Sequence, residues 1–302
     1  MTRHFLDVDD LSRGELESVL SLAATYKAEH ERSVSHDDLR RQTLGMLFQK
    51  ASTRTRVSFE TGMTQLGGHA VFLGESDIQL GRGEPRRDTS RALSGYVDFL
   101  MARVFKHANV EELARYAEVP VINGLTDDAH PCQTLADLLT IREACGGLEG
   151  VSVAWIGDGN NVAQSLALGA ALTDVELTVA TPDGYGIDDD VLRRARDLGG
   201  DPTVTDDPAA AATDADVVYT DVWISMGQED ERDVRAKAFD GFQVNDDLLA
   251  RTNDAAVMHC LPAHRGEEIT DDVMESPRAL IWDQAENRLH AQKGLLLWLA
   301  RQ

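Results

Sequence analysis

The feature that most constrains this chain is a regular alternation of short apolar runs with helix-spaced segments. Residues 11–31 carry apolar side chains at Leu16, Val19, Leu20, Ala23 and Ala24, the spacing of one helical face. Thr43–Phe48 reads as a buried strand, a helix is expected to open near Ser52, and a second strand follows at 69–73. Further strands are expected at 99–104 and 119–122, separated by helices from about Asp88 and Val110, and a helix at 134–145 leads to Gly146-Gly147. There the alternation restarts, with strands at 151–156, 176–180, 216–219 and 256–259 and a last helix at about 284–300. Strands joined through helices run parallel, and parallel sheets are covered on both faces. At 302 residues the chain can hold two such domains. The expected fold is therefore α/β, with two doubly wound parallel-sheet domains and a site in the cleft between them. The first domain spans 1–145 with the C-terminal helix 284–302 returning to it, and the second spans 146–283.

Composition narrows the function. With 52 acidic against 29 basic residues the net charge is −23 and the pI about 4.6, which argues against nucleic-acid or anionic-membrane binding. Only five of the basic residues are lysines (Lys27, Lys50, Lys106, Lys237, Lys293), and acidic runs such as Asp188-Asp189-Asp190 fall in loops or at helix starts. Self-repulsion of that size is tolerable where strong salt shortens the Debye length to about 3 Å, so a salt-rich source is expected. No run approaches the roughly 20 apolar residues of a membrane span. The N-terminus lacks a signal-like apolar segment, and the three cysteines suit a reducing compartment, so a cytoplasmic location is expected.

Ligands of open parallel sheets sit beyond the carboxyl ends of the strands, and every polar cluster of note falls there. Ser52-Thr53-Arg54-Thr55-Arg56 packs three hydroxyls and two guanidiniums at an expected helix start, where unpaired N–H groups and the helix dipole receive anions. Arginine adds a fork matched to phosphate or carboxylate. Arg103 ends a strand, and His130-Pro131-Cys132-Gln133 follows the next, with His130 and Gln133 spaced to share a helical face. Asp221 to Glu229 combines a carboxylate, a hydroxyl, a thioether and a glycine, the make-up of a loop that closes over a ligand bearing an ammonium group. Glu286-Asn287-Arg288 offers an arginine on the last helix. Gly157-Asp158-Gly159-Asn160-Asn161-Val162 departs from the dinucleotide fingerprint at Val162, where a small residue is needed. His130, Cys132, His259, Cys260 and His264 match no usual zinc spacing, and His259 and Cys260, adjacent at a strand end, are expected to diverge. No metal and no cofactor are expected.

Taken together, and over essentially its whole length, the chain resembles the carbamoyltransferase family, specifically its ornithine-using branch. Ser52 to Arg56 is similar to the family's carbamoyl-phosphate motif, and His130 to Gln133 to its second signature. Asp221 to Gln228 is similar to the mobile ornithine loop, and His259-Cys260-Leu261-Pro262 to the ornithine-type form of a further signature. The resemblance implies transfer of a carbamoyl group from carbamoyl phosphate to the δ-amine of L-ornithine, a reaction of arginine metabolism. It implies that Ser52, Thr53, Arg54, Thr55, Gln79, Arg103, His130, Gln133, Cys260, Leu261 and Arg288 hold carbamoyl phosphate. It further implies that Asn161, Asp221, Ser225 and Met226 hold ornithine, with Arg103, His130, Asp221 and Cys260 carrying the chemistry. A homotrimer, or an assembly of trimers, with active sites at subunit interfaces is implied as well. The segment bearing Gln79 reaches a neighbouring subunit's site in the family, although Gly83-Glu84-Pro85-Arg86-Arg87 departs from its relatives by a proline and no lysine. A different amine acceptor, a nicotinamide oxidoreductase and a non-catalytic phosphate-metabolite binder are the alternative readings.

Overall fold

Among the described residues each strand pairs only with parallel neighbours, so the connections between them are crossovers through a helix or loop. The computed structural model describes residues 2–75, 83–225, 227 and 229–302. The chain forms two compact units, Met1–Leu139 with Glu286–Gln302, and Thr140–Ala285.

The first unit begins with α1 (Arg13–Glu31), capped at Ser12 by a reciprocal pair in which Glu15 N donates to Ser12 Oγ and Ser12 N to Glu15 Oε2. Then follow β1 (Thr43–Phe48), α2 (Thr53–Gln65), β2 (His69–Gly74), α3 (Arg86–Ser94), β3 (Phe99–Arg103), α4 (His107–Tyr116), β4 (Val121–Leu125) and the start of α5 (Pro131–Cys145). The sheet order is β2-β1-β3-β4. Chain order reverses direction between β1 and β3, and loops leaving the carboxyl ends of those two strands diverge there, which opens a ligand crevice.

The second unit holds β5 (Ser152–Ile156), α6 (Asn161–Thr173), β6 (Glu176–Ala180), α7 (Asp189–Asp197), β7 (Thr203–Thr205), α8 (Pro208–Ala212) and β8 (Val217–Thr220). After these come α9 (Arg232–Ala238), α10 (Asp246–Leu249), β9 (Ala256–His259), α11 (Asp271–Met274) and the first turn of α12 (Ile281–Leu299). Its order, β7-β6-β5-β8-β9, reverses between β5 and β8. Below the loops lies a core around fully buried Phe239, stacked on Trp223 at 5.6 Å and tilted against Tyr185 at 5.0 Å. The fold is the expected one: two doubly wound parallel sheets. β7 was not expected; it is three residues long, polar and largely exposed, and so carries no apolar signal.

The boundaries at 139/140 and 285/286 lie a few residues from the expected 145/146 and 283/284. Both fall inside continuous helices, α5 and α12, where no break in the sequence marks them. The C-terminal part of α12 packs within the first unit, as expected. Lys293 is fully buried there, its Nζ donating to Gln65 Oε1 at 3.1 Å, and burial holds its pKa below the usual lysine value. Gly294 lies against α1 so closely that a Cβ would sit 2.5 Å from Val19 O and 2.9 Å from Ala23 N. Backbone atoms on both sides leave a methyl no rotamer escape. Gly294→Ala is therefore expected to destabilise the protein by about 1–3 kcal/mol or more despite the better helix propensity of alanine. Chemical denaturation checks this, and equal or higher stability would contradict the packing.

Candidate active site

In the first unit the site is built from the carboxyl ends of β1, β3 and β4. Ser52 is the N-cap of α2, its extended backbone letting Oγ accept from Thr55 N at 3.2 Å while also lying 3.1 Å from Thr55 Oγ1. Arg56 is committed to Glu60 at 2.9 Å and to the face of Phe72 at 3.8 Å. Arg54, by contrast, makes no hydrogen bond or ion pair among the described residues, so its guanidinium remains available to a ligand. Arg103 ends β3, buried, at a register shift against β4, and its carbonyl accepts from Gln49 N and Lys50 N beyond the end of β1. The turn before α5 is braced by Thr126, which accepts from Ala129 N at 3.2 Å, and by Cys132 Sγ donating to Asn123 O at 3.3 Å. Burial pushes the Cys132 thiol up to about 12, so this sulfur is inert packing.

Arg288 joins these elements. Its Nη1 donates to Gln133 Oε1 at 2.7 Å and lies 3.4 Å from His130 Nε2, while Nη2 donates to Thr55 Oγ1 at 2.8 Å. All four residues are buried. The expected sharing of one face by His130 and Gln133 is realised in this contact. Burial first, then the charges of Arg288, Arg103 and Arg54, pushes the His130 pKa well below the usual 6.5. The imidazole is thus neutral, and since a guanidinium only donates, Nε2 is the acceptor toward Arg288. The result is a buried cluster in which three guanidiniums act on an uncharged His130.

The second unit has a polar cluster of its own where the strand order reverses. Gly157 takes φ 138° after β5, and Gly159 rests on Gly186, where a Cβ would come within 2.4–2.6 Å of backbone. Asn160, not Asn161, is the cap of α6, accepting from Val162 N and Ala163 N; its Nδ2 donates to Asp221 Oδ2 at 2.8 Å. Asp221 is buried just past β8. Asp158 is buried beside it; burial raises its pKa to about 6, opposed by the Arg235 guanidinium 2.9 Å away. Arg235 also donates to Trp223 O and Glu231 Oε2, each at 2.9 Å, so it anchors both ends of the loop beyond Asp221. In that loop Ser225 is half-buried and Gly227 takes φ 97°, a conformation suited to glycine.

One expectation about side chains is corrected. His259 and Cys260 do not diverge: ligand atoms of Asp221, His259 and Cys260 lie within 4.8 Å of one another. The chain turns sharply after β9, with Leu261 at φ 61° and its N–H donating back to His259 Nδ1 at 2.9 Å. His259 Nε2 then carries the proton toward Glu268 Oε1 at 3.0 Å. Both ring nitrogens are engaged, which leaves neither for a metal.

Of the sequence-predicted residues, the structure joins Thr55, His130, Gln133 and Arg288 directly, with Ser52 adjoining and Arg54 and Arg103 acting on His130 through charge. Thr53 is exposed in the first turn of α2. Cys260 and Leu261 belong to the second unit with Asp221, Asn161 and Ser225. Gln79 and Met226 lie outside the described residues. Sequence reasoning missed Asn160, Asp158 and Arg235 as supports. The two arms of the Arg235 contact are 77 residues apart, and no local pattern marks such a pair.

Neutral His130 has a consequence for stability. The unfolded chain protonates it near pH 6.5, whereas the folded protein resists protonation to a lower pH, so the folded state binds fewer protons below that value. Stability should hold above pH 6.5 and fall as pH drops below it, by up to about 1.4 kcal/mol per pH unit from this one group. Urea unfolding at pH 7.5 and 5.5 should show a smaller fall in His130→Asn than in wild type; equal falls would contradict the neutral, buried imidazole.

Comparison with known proteins gives one consistent result. The family description "Aspartate/ornithine carbamoyltransferase, carbamoyl-P binding domain" matches residues 3–143, and "Aspartate/ornithine carbamoyltransferase, Asp/Orn binding domain" matches 149–299. The ornithine carbamoyltransferase of Haloquadratum walsbyi is 64% identical over 98% of this chain and 97% of its own length. That of Pyrococcus furiosus, named as anabolic, is 52% identical over 97% and 95%. The solved structure of ornithine carbamoyltransferase from Pyrococcus furiosus superposes with a TM-score of 0.94, covering 97% of this chain and 96% of that one. The structure of the enzyme from Thermus thermophilus is 44% identical, with a TM-score of 0.89 and 99% coverage of both chains.

Proposed function

The chain belongs to the aspartate/ornithine carbamoyltransferase family, and we propose from that premise that it is an ornithine carbamoyltransferase. It transfers the carbamoyl group of carbamoyl phosphate to the δ-amine of L-ornithine, giving L-citrulline and phosphate, in the direction of arginine synthesis. The observation that carries the reading is the buried Arg288 cluster beside the Ser52 cap, with the guanidinium of Arg54 uncommitted among the described residues. An acyl phosphate dianion fits that cluster by charge and by hydrogen-bond count.

In this mechanism Ser52, Thr53, Arg54 and Thr55, with the free N–H groups of α2, hold the phosphate, and Gln79 joins them from a neighbouring subunit of a homotrimer or an assembly of trimers. Arg103, His130, Gln133 and Arg288 surround the carbamoyl group, with Cys260 and Leu261 contributing to the same ligand. The δ-amine lone pair attacks the carbamoyl carbon, the carbonyl oxygen gains negative charge, and the carbon–oxygen bond to phosphate then breaks. Arg103, Thr55 and a neutral His130 that donates one N–H stabilise that oxygen. Arg54 and the helix start take up charge on the departing phosphate. The amine must shed a proton, so the rate rises with pH until the δ-ammonium is titrated. Asp221, held by Asn160, binds the α-ammonium of ornithine, with Asn161, Ser225 and Met226 around it, and so fixes the δ-amine at attack distance. Cys260, close to Asp221, belongs to the catalytic group.

Among the described residues no helix is long and apolar enough to cross a membrane. Among the described residues no disulfide joins any of Cys132, Cys145 and Cys260, which supports a cytoplasmic location. The direct test is citrulline formation from carbamoyl phosphate and L-ornithine across a salt series. Citrulline should form, and activity should rise toward molar salt as the charge of −23 is screened. Absence of citrulline at every salt concentration would overturn the function, and an optimum at low salt would overturn only the salt dependence.

A further inference from the structure

Asp137 is a fully buried carboxylate that the mechanism above does not use. It sits one helical turn beyond Gln133 on α5 and accepts from Gln133 Nε2 at 2.8 Å. At the other end of the same amide, Gln133 Oε1 accepts from Arg288 Nη1 at 2.7 Å. A carboxylate only accepts and a guanidinium only donates, so the two contacts fix the amide in one orientation. Its nitrogen faces the next turn of the helix. Its oxygen faces the cluster of Arg288, His130 and Thr55 and keeps a second lone pair.

We infer that Asp137 is a specificity-determining positioning residue: by holding the Gln133 amide nitrogen it turns Gln133 Oε1 toward the ligand, where it accepts from the NH2 of the transferred group. The inference rests on the carbamoyl-transfer reading. Its consequence is selection for an acyl phosphate whose carbonyl carbon carries an amino group over the nearly isosteric methyl compound, acetyl phosphate. A methyl offers Gln133 Oε1 no hydrogen, so its second lone pair stays unmatched beside the Arg288 contact, whereas the amino group completes it. Without Asp137 the amide is held by Arg288 alone, its NH2 has lost its acceptor, and the orientation that presents Oε1 to the ligand is less firmly fixed.

The test compares competition constants of carbamoyl phosphate and acetyl phosphate on the full-length protein at the salt concentration that supports citrulline formation. In Asp137→Leu, affinity for carbamoyl phosphate should fall at least about 10-fold while that for acetyl phosphate stays within about 2-fold, collapsing the ratio. Asp137→Asn, whose Oδ1 still accepts from Gln133 Nε2, should restore the ratio to within about 3-fold of wild type. Asp137→Ala carries the same prediction as the leucine variant should the latter not fold. Parallel loss of both ligands would show a purely structural role and overturn the inference. So would an unchanged ratio, or an asparagine variant as impaired as the leucine one. If wild type binds neither ligand and forms no citrulline, it is the carbamoyl-transfer reading that fails.

Discussion

The first unit is organised around one buried cation. Arg288 reaches from the C-terminal helix to Thr55 at the start of α2 and to Gln133 and His130 at the start of α5, so residues 233 and 155 positions apart meet on one guanidinium. A buried guanidinium is tolerable only when its donors are satisfied and its charge is balanced. The partners named here supply oxygen acceptors and a neutral imidazole, while Arg103 and Arg54 add positive charge close by. Three guanidiniums acting on one neutral imidazole are the kind of donor set that suits an anionic ligand. The packing of Gly294 and Lys293 against α1 and α2 holds the helix that carries Arg288, so fold and chemistry share one support.

The second unit solves the complementary problem with the opposite charge. Asp221 is buried at the reversal of strand order and accepts from the Asn160 amide, an arrangement that suits the ammonium ligand proposed for it. Asp158, a short distance along the same rim, is instead matched to Arg235 and given over to anchoring the loop. Two neighbouring carboxylates thus differ in partner, an amide for Asp221 and a guanidinium for Asp158.

Much of this was legible in the sequence because its signals are local. The Thr43–Phe48 and Glu176–Ala180 strands and the Ser52 cap follow from apolar runs and capping chemistry within a few residues. The His130 and Gln133 pair follows from helical spacing. What escaped was set by distance or by backbone direction. Asn160, and not Asn161, takes the cap of α6, and only the observed turn at Gly159 distinguishes them. His259 and Cys260 converge with Asp221 because Leu261 adopts a left-handed backbone, which strand alternation alone did not foresee. Asp137 carried a usable signal, the i,i+4 spacing from Gln133, whose meaning depends on Arg288 arriving from the far end of the chain.

The central claim is that Arg288 assembles an anion-binding cluster within the first unit. Calorimetric titration of carbamoyl phosphate into Arg288→Met, which keeps the aliphatic stem and removes the charge, tests it most directly. Losing a buried charged partner costs about 3–5 kcal/mol, so affinity should fall on the order of 100-fold or more in a variant whose circular dichroism shows native helix content. Affinity within about threefold of wild type would contradict the account.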